Sequence, residues 1–374
     1  MNIFNYFILS HSLLFTIVSA LVAFIFAPFL IYILEKLKIK RSFELDPSRG
    51  ISQRLKKEGT PIMGGLLMVL VILFLTVFFN WDKRFTFVPI GVMCLSAFLG
   101  VWDDLSNIFG KKRTVSSLKE NLAIIKTHPC KLYRGVLILT LPWIIFKNAF
   151  HIFSPQPTKG VLPHEKIILQ FTAGAITAWW IVFKLGEEWL HVWIPFNGEI
   201  YLGYWMIPII IFTVILFANA VNISDGLDGL SGGVLVSAFV GLAILSYFQG
   251  SLPFSILNAT VIGSLIAYTY FNVKPARFQM GDAGSLSMGA LFAVMMIAQN
   301  RLFLIPFFGF IFLVEIFSVI IQTFWRYGLG RRFFKMAPLH HHLELKGWAE
   351  EKIVARFWII NIFMVILGLW LAIH

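Results

Sequence analysis

Long runs of apolar residues recur along the chain, separated by short polar segments. A helix that crosses a bilayer needs about 20 mostly apolar residues. By this measure the pattern predicts ten spans, at residues 13–35, 61–80, 86–102, 167–185, 203–221, 230–248, 254–271, 285–299, 302–325 and 354–373. The span at 285–299 is short and begins with small residues. The predicted fold class is therefore an all-α polytopic integral membrane protein with about ten transmembrane helices.

Two stretches depart from this pattern. Residues 135–146 read GVLILTLPWIIF, an apolar run that is too short for an ordinary span and contains Pro142. This run predicts an interfacial or re-entrant helix. The stretch GEEWLHVWIPFNGEIYLG alternates apolar and aromatic residues around Asn197-Gly198. Such alternation about an Asn-Gly pair predicts a small β-hairpin, which the topology below places on the extracytoplasmic surface.

Composition supports a membrane protein and argues against a soluble one. Hydrophobic residues make up 58% of the 374 positions and charged residues 13%, about half of what a soluble domain carries. The formal net charge of +12 would suggest nucleic acid in a soluble protein. Here the basic residues cluster in a few loops, so membrane topology accounts for them and no nucleic-acid partner is predicted. The two cysteines give no disulfide or metal-binding spacing.

Lysine and arginine predict the orientation of the spans. With the N-terminus outside, all but four of the 31 Lys and Arg residues fall on one side, the exceptions being Lys83, Arg84, Lys184 and Arg301. Such a bias marks the basic side as cytoplasmic. It also requires an even number of crossings within residues 103–166. The predicted localisation is thus multi-pass, with the acidic loops described next on the cytoplasmic side.

Five aspartates fall at the predicted cytoplasmic ends of spans. They form three clusters next to glycine or apolar residues: Asp103 and Asp104 in FLGVWDDL, Asp225 and Asp228 in NAVNISDGLDGLSGG, and Asp282 in QMGDAGS. One carboxylate at a span end can simply be solvated among headgroups. Adjacent carboxylates, however, repel each other unless a cation screens them. Because Mg²⁺ binds one or two carboxylates plus substrate phosphates, the clusters suggest a Mg²⁺–diphosphate site.

The stretch around Asp225 and Asp228 suggests a polar cavity. These two residues are three apart, and so are Asn219 and Asn222 just before them. In a helical turn this spacing places side chains on one face. The glycines of the stretch either let backbone approach a ligand or pack helices closely, and both interpretations stand.

A run of three histidines, His340 to His342, has several interpretations from its residues alone. Metal ligation is one, although three adjacent imidazoles do not easily reach a single ion. Solvated loop histidines are the plain alternative. Neutral imidazole can also donate and accept hydrogen bonds to a phosphate or hydroxyl.

Four motifs resemble those of the phospho-N-acetylmuramoyl-pentapeptide transferase family, one of the polyprenyl-phosphate N-acetylhexosamine-1-phosphate transferases. They are NAVNISDGLDGLSGG, PARFQMGDAGSLSMGA, KKEGTPIMGG and PLHHHLELKGWAEEKIVARFW. The resemblance runs from about residue 47 to 374, and the histidine run followed by ELKGW separates this family from its relatives.

The resemblance implies a specific reaction. Phospho-MurNAc-pentapeptide would pass from UDP-MurNAc-pentapeptide to undecaprenyl phosphate, giving lipid I and UMP in peptidoglycan synthesis. It also implies Mg²⁺ as cofactor, a homodimer, and a cytoplasmic active site in the bacterial inner membrane.

The resemblance further implies roles for individual residues. Catalytic roles would fall to Asp103, Asp104, Asp282 and His341, with Asp282 also the Mg²⁺ ligand. The substrate-binding residues would be Lys57, Lys166, Asn222, Asp225, Asp228, Asn272, His340, His341 and His342. Of these, Asn222, Asp225 and Asp228 would line the nucleotide pocket, and Lys57 and Asn272 match nucleotide-side positions.

The sequence departs from the family pattern in two places. Asn107 stands where the family has a lysine, and the family's KGL…K motif corresponds to Lys159-Gly160-Val161 and Lys166. We therefore predict one transferase domain, 1–374, with an insertion at about 108–158 on the cytoplasmic side or the interface. In the second place, Gln279 replaces an aromatic residue that is thought to stack on uracil, with neighbouring Phe278 as its substitute.

Two other functions compete with this one. A sister transferase would move GlcNAc-1-phosphate to the same lipid, and the HHHLELKGW stretch argues against it. A transporter would place polar groups near the bilayer midplane and show repeats. For the transferase we favour direct attack by the lipid phosphate over a phospho-Asp282 intermediate, because a metal-bound carboxylate is a poor nucleophile.

Overall fold

The computed structural model describes residues 3–40, 58–113, 118–151 and 159–374. Lys57, one of the predicted substrate-binding residues, lies outside this part of the chain. The helices are α1 (Ile3–Lys36), α2 (Leu66–Phe79), α3 (Phe87–Phe109), α4 (Leu118–Thr127), α5 (Lys131–Leu139), α6 (Leu141–His151), α7 (Pro163–Trp180), α8 (Met206–Ser224), α9 (Leu230–Phe248), α10 (Leu252–Asn272), α11 (Gly281–Ala298), α12 (Ile305–Phe308), α13 (Phe310–Leu329), α14 (Leu339–Glu344) and α15 (Glu350–Ile373). Strands β1 (His191–Ile194) and β2 (Gly198–Tyr201) stand between α7 and α8.

Nine helices in the described residues are long and apolar enough to cross a membrane, and α2 is a shorter apolar helix. Together they account for the ten predicted spans and confirm the all-α polytopic fold class. Helix α2 begins at Leu66 rather than at residue 61. The reason is that Gly64 and Gly65 donate their backbone N–H groups to the carbonyls of Gln279 and Met280, 2.8 and 2.9 Å away.

Several span boundaries differ from the prediction. Helix α1 begins at Ile3, ten residues before the predicted start. Helix α3 continues to Phe109, so Asp103 and Asp104 lie within a helix rather than after its end. The predicted span 302–325 is divided at Gly309 into α12 and α13.

Helix α11, the shortest of the predicted spans, is the most enclosed spanning helix of the described residues. All residues from Ala283 to Ala298 are buried. Small residues allow this: a Cβ atom on Gly289 would lie 2.3 Å from the carbonyl oxygen of Phe217, and one on Gly284 would lie 2.5 Å from the Cα atom of Gly65. Close backbone packing through small residues is a common solution in membranes, where polar backbone must be shielded.

The predicted hairpin is present. Strands β1 and β2 pair antiparallel, with His191 opposite Tyr201 and Ile194 opposite Gly198. Residues 135–146, predicted as one interfacial or re-entrant helix, are instead divided between α5 and α6 at Thr140. Their interfacial position remains a prediction, and so does the single-domain assignment.

Candidate active site

Three helices bring acidic and basic side chains together at one end of the bundle. Asp103 and Asp104 lie near the C-terminus of α3, Lys166 in the first turn of α7, and Asp282 in the first turn of α11. These residues are far apart in sequence, and the helix ends converge because α3 packs against both α7 and α11. We call Asp103, Asp104, Lys166 and Asp282 the acidic cluster.

Asp104 anchors the start of α11. Its two carboxylate oxygens accept hydrogen bonds of 3.1 Å from the backbone N–H groups of Asp282 and Ala283. The first N–H groups of a helix lack partners within the helix and carry partial positive charge, so a carboxylate is favoured there. Gly281 adopts φ +70° beside this contact, and a Cβ atom on it would lie 2.7 Å from Asp104 Oδ2. Asp104 therefore positions Asp282.

Asp103 is held by three donors. Lys166 Nζ lies 2.6 Å from Asp103 Oδ2, and Asn107 Nδ2 donates to the same oxygen at 3.2 Å. The backbone N–H of Val161 donates to Oδ1. Asn107, which replaces the family's lysine, thus supplies a neutral donor. The whole group packs closely against Gly160.

Asp282 joins the cluster to α8. Its Oδ2 accepts a hydrogen bond of 2.7 Å from Lys166 Nζ, and its Oδ1 accepts one of 2.8 Å from Asn222 Nδ2. Asn222 Nδ2 also donates to Ser285 Oγ at 2.9 Å. The side chains of Lys166 and Asp282 are each 22% exposed, whereas that of Asp103 is 2% exposed. A ligand can therefore reach Asp282 and Lys166 first.

The acidic cluster has one partly exposed carboxylate, that of Asp282, which could hold Mg²⁺. No group of three or more His, Cys, Asp or Glu side chains poised for a metal occurs in the described part of the chain. Mg²⁺ nevertheless needs only one or two protein carboxylates when substrate phosphates and water complete its six ligands. Asp282 offers oxygen ligands at the accessible end of the cluster. The residues present thus fit a site with one carboxylate that is completed by a diphosphate.

The loop after α8 does not form the shared helical face predicted for Asp225 and Asp228. Helix α8 ends at Ser224, so both aspartates lie beyond it and their three-residue spacing does not put them on one helical face. Their side chains contact different partners. Asp225 Oδ1 accepts a hydrogen bond of 2.8 Å from Ser231 Oγ. Buried Asp228 instead accepts one of 3.2 Å from the backbone N–H of Ala276. Asp228 thereby holds two loops together.

Asn272 also acts as a link between loops. Its Oδ1 accepts a hydrogen bond from the backbone N–H of Gly229, and its Nδ2 donates to the carbonyl of Phe278, both at 2.9 Å. The side chain is buried, and both of its polar atoms are engaged. Its predicted nucleotide-side role would have to be exerted through the loops that it fixes.

Lys274, which follows α10, pairs with two glutamates in the first turn of α15. Lys274 Nζ lies 2.8 Å from Glu351 Oε1 and 3.3 Å from Glu350 Oε2. Burial disfavours the Lys274 ammonium, but its pairs with Glu351 and Glu350 outweigh burial and raise its pKa. Glu350 in turn accepts a hydrogen bond of 2.9 Å from the backbone N–H of Asp228. The pairing therefore braces the loop that carries Asp225.

The histidine triplet lies on α14 and is held by two glutamates. His340 Nδ1 lies 2.9 Å from Glu315 Oε2 in α13, and both residues are buried. His341 Nδ1 lies 2.7 Å from Glu344 Oε2. His340 and His341 are buried, so the interpretation as solvated loop histidines is wrong for these two. His342 is less buried than its neighbours.

Glu315 was missed at the level of sequence, although a signal for it exists. It is the single acid in the apolar run FIFLVEIFSVII. An ionisable residue inside a span is costly and usually faces the interior of the bundle, where it has a partner. Here the partner is His340, whose backbone N–H also donates to Glu315 Oε1 at 3.1 Å.

Phe278 does not offer a stacking surface to a base. Its side chain is fully buried, with its ring centroid 5.4 Å from that of Tyr268. It also packs tightly against Gly64, where a Cβ atom would overlap the ring. The expectation that Phe278 replaces the missing aromatic at Gln279 is therefore wrong for this structure, because core packing encloses the ring.

Comparison with known proteins agrees with the family resemblance of the four sequence motifs. The model of glycosyl transferase family 4 matches residues 158–300. A phospho-N-acetylmuramoyl-pentapeptide-transferase of Chloroflexus aurantiacus is 34% identical over 86% of this chain and 80% of its own. Proteins of the same name from Staphylococcus saprophyticus and Flavobacterium psychrophilum are 32% and 31% identical, and cover 96% and 98% of this chain and 99% and 94% of their own. The chain therefore belongs to the phospho-N-acetylmuramoyl-pentapeptide-transferase family.

Proposed function

We propose that this membrane protein is the phosphoglycosyl transferase of lipid I synthesis. It transfers phospho-MurNAc-pentapeptide from UDP-MurNAc-pentapeptide to undecaprenyl phosphate and releases UMP. The observation that carries the proposal is the ammonium of Lys166 between Asp103 and Asp282, at a partly exposed end of the bundle, in a chain of this family. A cation among carboxylates suits a reaction between two phosphate-bearing substrates.

The reaction asks mainly for positioning and charge neutralisation. The attacking oxygen belongs to the lipid phosphate and is already anionic, so the protein has to hold two anions in line. Lys166 Nζ is the accessible cation of the acidic cluster and would contact the transferred phosphoryl group. His341 and His342 would donate hydrogen bonds to the phosphates and the sugar.

Mg²⁺ forms part of this proposal. Asp282 would hold the ion, which when bound neutralises the diphosphate and stabilises the UMP that leaves. The chain's own residues prepare this position. Asn222 and Lys166 orient the Asp282 carboxylate, and Asp104 fixes the start of the helix that carries it.

Proton transfer is assigned to Asp103. A phosphate monoester has a second pKa of about 6, so part of the lipid phosphate carries a proton near neutral pH. Asp103 Oδ2 would accept that proton once Lys166 turns towards the substrate. A covalent phospho-Asp282 is less favoured, since a carboxylate that holds a metal ion is a poor nucleophile. Radiolabelled phosphate trapped on the protein with the UDP substrate alone would contradict direct attack.

We also propose where the acidic cluster lies and how the protein assembles. We place the acidic cluster on the cytoplasmic side of the bacterial inner membrane, because nearly all lysine and arginine residues lie in the loops of that side. We expect a homodimer, as in the family that the motifs resemble.

The sugar specificity separates this function from its nearest competitor. Purified protein, Mg²⁺ and undecaprenyl phosphate would be mixed with either UDP-MurNAc-pentapeptide or UDP-GlcNAc, and UMP release would be measured. The proposal predicts UMP from the first donor and background from the second. If UMP is released with UDP-GlcNAc and not with UDP-MurNAc-pentapeptide, the protein is the sister transferase. If a substrate is transported and no UMP is released, the protein is a transporter.

A further inference from the structure

The insertion forms three short helices beside the acidic cluster. Helices α4, α5 and α6 lie between the end of α3 and the start of α7. Asn148 Oδ1 accepts a hydrogen bond of 3.1 Å from the backbone N–H of Leu118, which ties α6 to the start of α4. Arg113 forms two hydrogen bonds, of 3.0 and 2.7 Å, with Glu165. The two ends of the insertion are therefore close together, next to the end of α3 and the start of α7.

Helix α5 exposes an apolar stripe. Leu132, Val136 and Leu139 follow the i, i+4, i+7 spacing of one helix face. They are 81%, 50% and 82% exposed, and neighbouring Tyr133 and Ile138 are also exposed. In a chain that lies in a bilayer, such a stripe next to span ends is suited to the boundary between headgroups and acyl chains.

The insertion is also basic. Its helices contain Lys119, Lys126, Lys131, Arg134 and Lys147, against Glu120 as the single acid. Lys147 Nζ lies 5.2 Å from the centroid of the Trp143 ring, which is itself exposed. Lysine, arginine and tryptophan beside an apolar face are typical of a helix that lies on an anionic membrane surface. Each basic residue near such a surface adds attraction.

The insertion contacts the helix that supplies Lys166. The Trp143 ring packs edge-on against His164, with 5.6 Å between ring centroids. His164 is buried in the first turn of α7, two residues before Lys166. An interaction that fixes the position of α6 therefore also affects the position of the first turn of α7, which carries Lys166.

We propose that α4–α6 form an interfacial element that binds anionic phospholipids of the leaflet beside the acidic cluster, with Leu132 and Leu139 in the acyl region and basic side chains such as Lys126 at the headgroups. The occupant of the exposed stripe is lipid, rather than a second protein. The charge of the insertion, its attachment at two span ends and the exposure of its leucines carry this inference, which does not depend on the substrate proposed above.

The chain offers a natural reporter for the test. Cys130 is exposed and lies directly before α5, and Cys94 is the other cysteine of the sequence. In a Cys94→Ser background, an environment-sensitive fluorophore on Cys130 reports the surroundings of the stripe. The full protein is reconstituted into nanodiscs of phosphatidylcholine alone or mixed with phosphatidylglycerol, with and without nitroxide-labelled lipid as a quencher.

We expect blue-shifted emission and quenching by lipid, both stronger with phosphatidylglycerol. The double variant Leu132→Ser/Leu139→Ser should lose the blue shift in both lipids. Each leucine lost lowers the equilibrium constant for binding of α5 to the bilayer about tenfold. The pair Lys126→Gln/Arg134→Gln should lose only the dependence on phosphatidylglycerol. Leu37→Ser, an exposed leucine after α1, is the control and should behave like the parent.

Other results would overturn the inference. Water-like emission without quenching in every lipid would place the insertion in the aqueous phase. A blue shift that appears only when another protein is added would assign the stripe to a protein partner. Thermal unfolding of each variant in detergent checks that the exposed substitutions leave the fold intact.

Discussion

Lys166 Nζ lies 2.6 Å from Asp103 Oδ2 and 2.7 Å from Asp282 Oδ2, so one ammonium group joins acids from two helices. In a low-dielectric environment the two carboxylates would repel each other without it. The same ammonium is partly exposed and can turn towards an anionic ligand. Lys166 therefore links the stability of the bundle end to the chemistry proposed for it.

Removal of this cation should destabilise the fold. Breaking a buried ion pair by deleting one partner costs about 3–5 kcal/mol. Since Lys166 is partly exposed, we expect Lys166→Met to lose about 1–3 kcal/mol of unfolding free energy. Adding Asp103→Asn should restore part of that loss, because one uncompensated carboxylate disappears. Thermal unfolding in detergent measures both, and a double variant no more stable than the single one would contradict the pairing.

Asp282→Asn should abolish most turnover while the fold persists. Lys166 keeps Asp103 as a partner, so the stability loss is smaller than in Lys166→Met. Loss of the proposed metal ligand should lower kcat at least about a hundredfold. Glu187→Gln, an exposed acid before β1, is the charge-matched control and should keep parental activity. Near-normal UMP release by purified Asp282→Asn would make the metal assignment wrong.

The sequence predicted the spans well, since an apolar run of bilayer length seldom forms anything but a membrane helix. Charge bias placed the acids at one face, and the structure does bring Asp103, Asp104, Asp282, Asn222 and Lys166 together. Sequence could not show that Asp228 and Asn272 bind loop backbone, because their partners, such as Ala276, come from distant turns. The burial of Phe278 was also hidden, since it depends on packing against Gly64.

Gly160 marks a close approach that a side chain would disturb. A Cβ atom there would lie 2.4 Å from Asp103 Oδ1 and 2.5 Å from Asn107 Oδ1. Gly160→Ala should therefore displace Asp103 and lower turnover about tenfold or more, with a loss of about 1–3 kcal/mol in stability. Gly91→Ala in α3, which meets nothing within 4 Å, is the matched control. Equal effects of the two substitutions on UMP release would refute this role for Gly160.

His341 provides a test of the histidine triplet. Its Nδ1 is paired with Glu344, which fixes the orientation of a ring that we propose acts on the substrate. If it does so, His341→Ala should reduce kcat about a hundredfold. The exposed His374 serves as the control through His374→Ala. Unchanged kinetics in His341→Ala would indicate a purely structural histidine.

His342 should titrate below the usual histidine range. Partial burial, Lys346 and Lys335 lower its pKa from 6.5. Because the folded pKa lies below the unfolded one, His342 favours the fold above pH 6.5, and this contribution is lost as the pH falls through the folded pKa. Lys335→Gln should raise the pKa towards 6.5. NMR titration of ¹³C-histidine-labelled protein measures it, with His342→Gln to assign the signal. An unshifted titration would contradict the assigned cause.

The most direct test of the central claim measures both products of the proposed reaction. Purified protein, Mg²⁺, undecaprenyl phosphate and UDP-MurNAc-pentapeptide are mixed, and UMP and lipid I are quantified over time beside Lys166→Met. Our account predicts one UMP for each lipid I from the parent protein and neither product, above background, from the variant. UMP without lipid I, or a variant as active as the parent, would contradict it.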